Sequence, residues 1–100
     1  MLTENFNKMF GEHYYWVDSA EDLLELIEYV NHPLLKACWD VGHGNLQELP
    51  QHEALKILGD NVRALHIQDN MGNDDHHTFP YTGTLNFDSI MHGLQDINYK

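Results

Sequence analysis

Carboxylate and imidazole side chains lie at the ends of several short apolar segments of this sequence. Glu4 follows a short N-terminal segment, Asp40 ends the run KACWD, and His43 comes next within Gly-His-Gly. Further along, His66 lies in the segment VRALHIQD. Carboxylate oxygens and imidazole nitrogens are ligands for Mn²⁺, Co²⁺, Zn²⁺ and Mg²⁺ in proteins. The residue types therefore indicate a site for a divalent metal ion, provided that the fold brings them together.

Each of these residues also has a simpler interpretation. An aspartate at the end of a strand is more often a turn former or a helix cap. His66, between two apolar neighbours, is as easily explained as a core histidine that bonds a backbone carbonyl. Asp75 and His77 lie in a polar stretch that fits a solvated loop. The case for a metal site therefore rests on the shared location of these residues and not on any one of them.

The elements that must position these side chains alternate along the chain. Three segments predict helices: DSAEDLLELIEYVNHP, PQHEALKILGD and NFDSIMHGLQDI. In the first, Ser19 is expected to cap the helix and Val30 to lie on its apolar stripe, and Met91 is expected on the apolar stripe of the third. Strands buried on both faces are predicted in LLKACWD and VRALHIQD. We expect Gly42 and Gly44 to allow a sharp turn that directs His43 toward the pocket.

Apolar strands that alternate with helices predict right-handed crossovers and a parallel sheet, which makes this an α/β protein. Ligands bind beyond the carboxyl ends of the strands in such sheets. Glu4, Asp40 and His66 each stand at or near such an end, so we expect them to meet there. Asp75 and His77 belong to the loop beyond.

Composition sets the bounds on function. The chain has 100 residues, which is one small domain spanning residues 1–100, and 42% of them are hydrophobic. A formal charge of −11, with five basic residues, argues against binding to nucleic acid. We expect no membrane span, because no apolar run approaches about 20 residues. The single cysteine, Cys38, cannot form an internal disulfide, so a reducing cytoplasm is the expected compartment.

Several segments resemble a known family. ENF, CWDVGHGNLQ, LGDNVRALHIQDNMGNDDHHTFPYTGTLNF and IMHGLQDINYK are similar to the second half of the sugar phosphate isomerase/epimerase proteins, which are xylose-isomerase-like barrels. The endonuclease IV family belongs to the same group of barrels. The resemblance implies a partial TIM (β/α)8 barrel that runs from about the end of the fifth strand to the helix before the eighth. It also implies carbohydrate metabolism as the setting.

The resemblance assigns roles to particular residues. Glu4 resembles the family's metal-binding and acid/base glutamate, Asp40 and His66 resemble the next two metal ligands, and His43 resembles a substrate-contacting histidine. The implied reaction is isomerisation or epimerisation of a sugar, with proton transfer next to a carbonyl through an ene-diolate. The implied cofactor is a divalent ion, Mn, Co, Zn or Mg. For the pocket wall, Phe6 and Trp39 are candidates, although core packing is the simpler explanation of Trp39.

Three functions stay open at this point. The family carries a second glutamate on the eighth strand, and the sequence ends before it, so we expect a fragment with an incomplete site. Asp75 and His77 resemble further metal ligands of the endonuclease IV family, which makes phosphodiester cleavage the alternative enzyme. A non-catalytic half-barrel is the third possibility. Because open sheet edges recruit other strands, we also expect the isolated chain to self-associate.

Overall fold

A parallel three-stranded sheet forms the centre of the fold. The computed structural model describes residues 1–5, 19–46, 50–72 and 77–99. Its strands are β1 (Leu2–Glu4), β2 (Lys36–Asp40) and β3 (Val62–His66), in the order β1-β2-β3. Both neighbouring pairs are parallel. This confirms the predicted α/β architecture with crossover connections.

Four helices accompany the sheet in the described part of the chain. They are α1 (Ala20–Val30), α2 (Val41–Leu46), α3 (Gln51–Leu58) and α4 (Phe87–Asp96). A short 3₁₀ turn, Gly59–Asn61, connects α3 to β3. Helices α1, α3 and α4 are the three that the sequence predicts. None of the helices in these ranges is long and apolar enough to cross a membrane.

Local sequence explains where the helices begin and end. The Ser19 hydroxyl accepts a hydrogen bond from the Asp22 amide (3.1 Å) and so caps the first turn of α1. Asn86 caps α4 in the same way through the Ser89 amide (3.1 Å). Helix α3 ends at Gly59, which has a φ of 52°. Glycine adopts a positive φ at little cost. The predicted cap at Ser19 is therefore confirmed.

The core lies between the sheet and the helices. Trp39 is completely buried at its centre, and its indole N–H donates to the Gln51 side-chain oxygen (2.8 Å). Trp39 therefore packs in the core and forms no pocket wall. Core packing was the simpler explanation of this residue. The other core residues that are at most 1% exposed come from α1, β2, α2 and α3: Ala20, Leu23, Ala37, Val41, Leu55 and Leu58.

Four local predictions are wrong. The segment VRALHIQD is not buried on both faces. Val62 is buried, but Arg63 and His66 are exposed, and β3 is one of the two outer strands of the described sheet. Val30 and Met91 lie 49% and 53% exposed outside the apolar stripes expected of them. The Gly-His-Gly segment forms helix α2 and no sharp turn.

The strand register explains how the chemistry-bearing residues come together. Asp40 pairs directly with His66 at the carboxyl ends of β2 and β3, and Glu4 pairs with Cys38, two residues before the end of β2. Side chains alternate between the two faces of a strand, so Glu4, Asp40 and His66 share a side of the sheet.

Candidate metal centre

Glu4, Asp40 and His66 form a cluster at the carboxyl edge of the sheet. One potential ligand atom from each lies within 4.8 Å of the others. The His66 Nδ1 is 2.8 Å from the Glu4 Oε1 and 3.7 Å from the Asp40 Oδ2. Because a carboxylate accepts only, the Nδ1–H of His66 donates the hydrogen bond to Glu4. The meeting of these three residues, predicted from their positions at strand ends, is what the structure contains.

Asn5 joins the ends of β1 and β2 beneath this cluster. Its side-chain amide donates to the Asp40 carbonyl (3.1 Å), and its side-chain oxygen accepts from the Asp40 amide (2.7 Å). Asn5 is completely buried. The two bonds fix Glu4, the preceding residue, relative to Asp40.

His43 lies beside the cluster and is held by the backbone. Its Nδ1 is 2.8 Å from the Asn5 carbonyl oxygen, so this nitrogen carries the hydrogen and donates it. The same nitrogen is 3.7 Å from the Glu4 Oε1 and 3.6 Å from the Asp40 Oδ2. The imidazole is thereby fixed in orientation next to two carboxylates.

The two oxygens of Asp40 have different surroundings. The Oδ1 accepts from the His43 amide (2.9 Å), which caps the first turn of α2, and also from the Gln68 side chain (3.1 Å). The Oδ2 accepts from the same Gln68 nitrogen (3.0 Å) and faces His66. Asp40 is therefore both the helix cap of the simpler interpretation and a member of the cluster.

Burial decreases from one side of the cluster to the other. The side chains of Asp40 and His43 are 3% and 9% exposed, whereas those of Glu4 and His66 are 27% and 58% exposed. His66 is thus not a core histidine. The cluster opens to solvent past Glu4 and His66, which is the direction from which a ligand can approach.

Gly42 and Gly44 serve packing and not a turn. Neither has a positive φ, since both lie in helix α2. A Cβ at Gly42 would lie 2.5 Å from the Gln68 Cγ, and one at Gly44 would lie 2.9 Å from the Gln51 Nε2. The prediction of a sharp turn is wrong because the glycines are needed for close approach of neighbouring side chains.

The donor set fits a divalent cation. Two carboxylates and one imidazole in mutual reach are a combination that Mn²⁺, Co²⁺ and Zn²⁺ accept, and the carboxylates also suit Mg²⁺. The carboxylates of Glu4 and Asp40 concentrate negative charge on one side of the sheet. A cation there would replace the hydrogen that joins His66 to Glu4. The residues present therefore match the metal that the resemblance implies.

The cluster also affects the thiol of Cys38. This cysteine is 4% exposed and pairs with Glu4 across the sheet. Burial, followed by repulsion from the carboxylates of Glu4 and Asp40, raises the pKa of the Cys38 thiol above its ordinary value of 9.0. The thiol is therefore a poor nucleophile at neutral pH.

Not every predicted site residue joins the cluster. Among the described residues, His77 is not part of the group that converges within 4.8 Å, and it lies exposed in the loop after β3 with φ 53°. Asp75 and Phe6 lie outside the described residues. The endonuclease-like ligand set and the pocket wall at Phe6 stay predictions.

The loop after β3 is anchored by residues whose role the sequence did not reveal. The Asp69 carboxylate accepts from the amides of Asn70 (2.8 Å) and Leu85 (3.1 Å). The Asn70 side chain donates to the Gly42 carbonyl (2.9 Å), which ties the loop to α2. Asp69 and Asn70 are both completely buried.

Gln68 was also missed, although a signal for it exists. It stands two residues after His66, and residues at this spacing in an extended chain share a side. Applied past the end of β3, that alternation predicts Gln68 next to the cluster.

Comparison with known proteins assigns the chain to a protein family. The family model described as xylose isomerase-like TIM barrel matches residues 1–100. The resemblance inferred from the sequence motifs is thereby confirmed, and so is the partial-barrel fold, since solved barrels match over about a third of their length.

Individual relatives carry epimerase names or no assigned function. An uncharacterized protein of Sinorhizobium fredii is 38% identical over 63 residues, which are 63% of this chain and 20% of that protein. D-psicose 3-epimerase of Enterocloster bolteae is 24% identical over 86 residues, which are 86% of this chain and 27% of that enzyme. The crystal structure of a D-tagatose 3-epimerase-like protein superposes with a TM-score of 0.82 at 27% identity, over 97% of this chain and 36% of that one. The chain thus spans about a third or less of these proteins.

Proposed function

Because the chain belongs to the xylose isomerase-like TIM barrel family, we propose that it supplies the metal-binding part of a sugar isomerase or epimerase. The observation that carries the proposal is the convergence of ligand atoms from Glu4, Asp40 and His66 within 4.8 Å. The epimerase names of the relatives support a sugar as the substrate class.

Glu4, Asp40 and His66 would hold the metal ion. A divalent cation bound there would act as a Lewis acid that polarises a sugar carbonyl and stabilises negative charge on its oxygen. The bonds from Asn5 to Asp40 hold two of the donors in place before a ligand arrives. Such preorganisation lowers the cost of assembling the site.

Glu4 is the residue we assign to proton transfer. Its carboxylate would take the proton from the carbon next to the sugar carbonyl, while the C–H electrons form the double bond of an ene-diolate. Return of a proton to the opposite face inverts that carbon. The partial exposure of Glu4, 27% of its side chain, supports access to substrate. Inversion needs a second acid/base group on the other face, the role that the resemblance gives to a glutamate of the eighth strand.

His43 is the residue we assign to substrate contact. Its Nδ1–H donates to the Asn5 carbonyl, which fixes the ring plane. In the neutral ring the Nε2 then carries the lone pair and accepts a hydrogen from a sugar hydroxyl.

Solvent exchange tests the proposed reaction. With Mn²⁺ bound, the protein should exchange the hydrogen next to the carbonyl of a ketohexose for deuterium in D₂O, as followed by NMR. Glu4→Gln should lower the rate by about 10²-fold or more, since the amide cannot act as a base. His32→Ala, at an exposed position before β2, is the matched control. Metal-loaded protein that exchanges no hydrogen would support the non-catalytic half-barrel instead.

Compartment and assembly are part of the same proposal. Cys38 is a free, buried cysteine, which agrees with a reducing cytoplasm. Strands β1 and β3 are the outer strands of the described sheet, and Leu2 and Ile67, in or next to them, are 49% and 53% exposed. Such edges favour pairing with further strands, so self-association of the isolated chain is the expected behaviour.

A further inference from the structure

Gln68 binds the Asp40 carboxylate but is neither one of the three proposed metal ligands nor a residue assigned to substrate contact. Its side-chain nitrogen lies 3.1 Å from the Asp40 Oδ1 and 3.0 Å from the Oδ2, so one NH₂ group binds both carboxylate oxygens. Gln68 is 6% exposed. The donor must be the nitrogen, because a carboxylate offers only acceptors.

This contact has a structural cost. The Gln68 side-chain oxygen is buried and has no hydrogen-bond partner among the described residues. A buried polar atom without a partner is unfavourable, and an apolar side chain of the same size would avoid the penalty. The glutamine is therefore better explained by its contact with Asp40 than by packing.

Helix α2 leaves room for Gln68. A Cβ at Gly42 would lie 2.5 Å from the Gln68 Cγ and 2.6 Å from its Cδ, which are distances that real side chains do not tolerate. Gly42 is helical and needs no glycine for its backbone conformation. Space for the Gln68 side chain is thus the structural reason for glycine at this position.

We propose that Gln68 is a positioning residue that orients the Asp40 carboxylate toward a bound metal ion, and that Gly42 is required because it leaves space for Gln68. Together with the His43 amide, Gln68 holds the Oδ1 inward and leaves the Oδ2 facing His66, 3.7 Å away. The inference rests on the proposed function, since it assumes that Asp40 is a ligand. Partners that orient metal ligands typically contribute 10- to 100-fold to affinity.

Calorimetry with Mn²⁺ on the 100-residue chain tests the proposal. Gln68→Ala and Gly42→Ala should each weaken Mn²⁺ binding by about 10- to 100-fold. Gly44→Ala is the matched control: it lies in the same helix, and its Cβ would lie 2.9 Å from the Gln51 Nε2 and 3.0 Å from the Trp39 Cζ2, away from Asp40. Its Mn²⁺ affinity should stay within about threefold of the parent chain.

The double variant separates positioning from a general loss of structure. Once Gln68→Ala has removed the atoms that a Cβ at position 42 would meet, adding Gly42→Ala should lower the affinity no further. Additive losses, or equal losses from Gly42→Ala and Gly44→Ala, would overturn the proposal. Mn²⁺ binding that is unchanged in Gln68→Ala would also overturn it while leaving the metal site intact.

If the parent chain does not bind Mn²⁺, that result counts against the proposed function itself. A measurement on the metal-free chain then still tests the positioning role of Gln68. The side-chain NH₂ hydrogens of Gln68 should exchange slowly in ¹H–¹⁵N NMR spectra, because both carboxylate oxygens accept from that group. Gly42→Ala should accelerate this exchange and Gly44→Ala should not. Unchanged exchange in Gly42→Ala would refute the positioning role.

Discussion

Gly83→Ala should be a strongly destabilising single change outside the helices and strands. A Cβ at Gly83 would overlap the Asn70 carbonyl oxygen and lie 2.6 Å from its carbonyl carbon. Both atoms belong to the backbone, so no side-chain rotation can relieve the overlap. The segment that would have to move is held by hydrogen bonds from the Thr84 amide to the Asn70 oxygen (2.7 Å) and from the Leu85 amide to Asp69 (3.1 Å).

The expected magnitude follows from these contacts. Overpacking costs about 1–3 kcal/mol, and each weakened hydrogen bond costs about 1 kcal/mol. We therefore expect a loss of about 2–4 kcal/mol in the free energy of unfolding, a large part of the roughly 5–15 kcal/mol typical of a domain.

Urea denaturation followed by circular dichroism measures this loss. Gly59→Ala is the control, because nothing lies within 4 Å of its Cβ and only its positive φ opposes the change. That variant should lose about 1–3 kcal/mol, the cost of a sparsely populated backbone conformation. If Gly83→Ala lost less than Gly59→Ala, the close packing of the loop against Asn70 would be refuted.

Three further predictions concern the reaction, pH and assembly. In a protein with the complete barrel, His43→Ala should keep its metal and lose about 100-fold in kcat, because the sugar hydroxyl that His43 binds would no longer be held in position. Metal analysis and epimerisation kinetics measure the two effects, and a loss of metal would favour the endonuclease-like role. The raised pKa of Cys38 means that the folded chain holds its thiol proton more tightly than the unfolded chain, so stability should be full below pH 9.0 and fall as the pH rises toward the folded value. Denaturation at pH 8 and 10 should reveal this decrease in the parent chain and much less of it in Cys38→Ala. Sedimentation of the isolated chain should detect species larger than a monomer, whereas a compact monomer with a sharp thermal transition would contradict the open edges.

The sequence predicted those features that depend on local patterns. Residue type and position were enough to predict three features. These are the cap at Ser19, the end of α3 at Gly59 and the convergence of Asp40 with His66. Parallel strands end at one edge of a sheet, so two polar residues at strand ends come close without any detailed knowledge of packing.

Features that depend on neighbours in space could not be predicted in the same way. Helix α2 contains two glycines, which disfavour helix, yet Asp40 caps it and Gln51 and Asn70 bind its carbonyl groups. Asp40 precedes the helix directly, but Gln51 is 10 residues from Val41 and Asn70 is 28 residues from Gly42. A local sequence pattern does not include these last two partners. The exposure of β3 likewise depends on which strand lies beside it, and an apolar run does not reveal that.

Calorimetric titration of the chain with Mn²⁺ tests the central claim, that Glu4, Asp40 and His66 form a metal site. We expect one ion per chain, with binding largely removed by Asp40→Ala and by His66→Ala. His32→Ala and His52→Ala should bind as the parent does, because His32 lies before β2 and His52 bonds Asp96 between α3 and α4. Equal loss from all four changes, or no binding by the parent chain, would contradict the account.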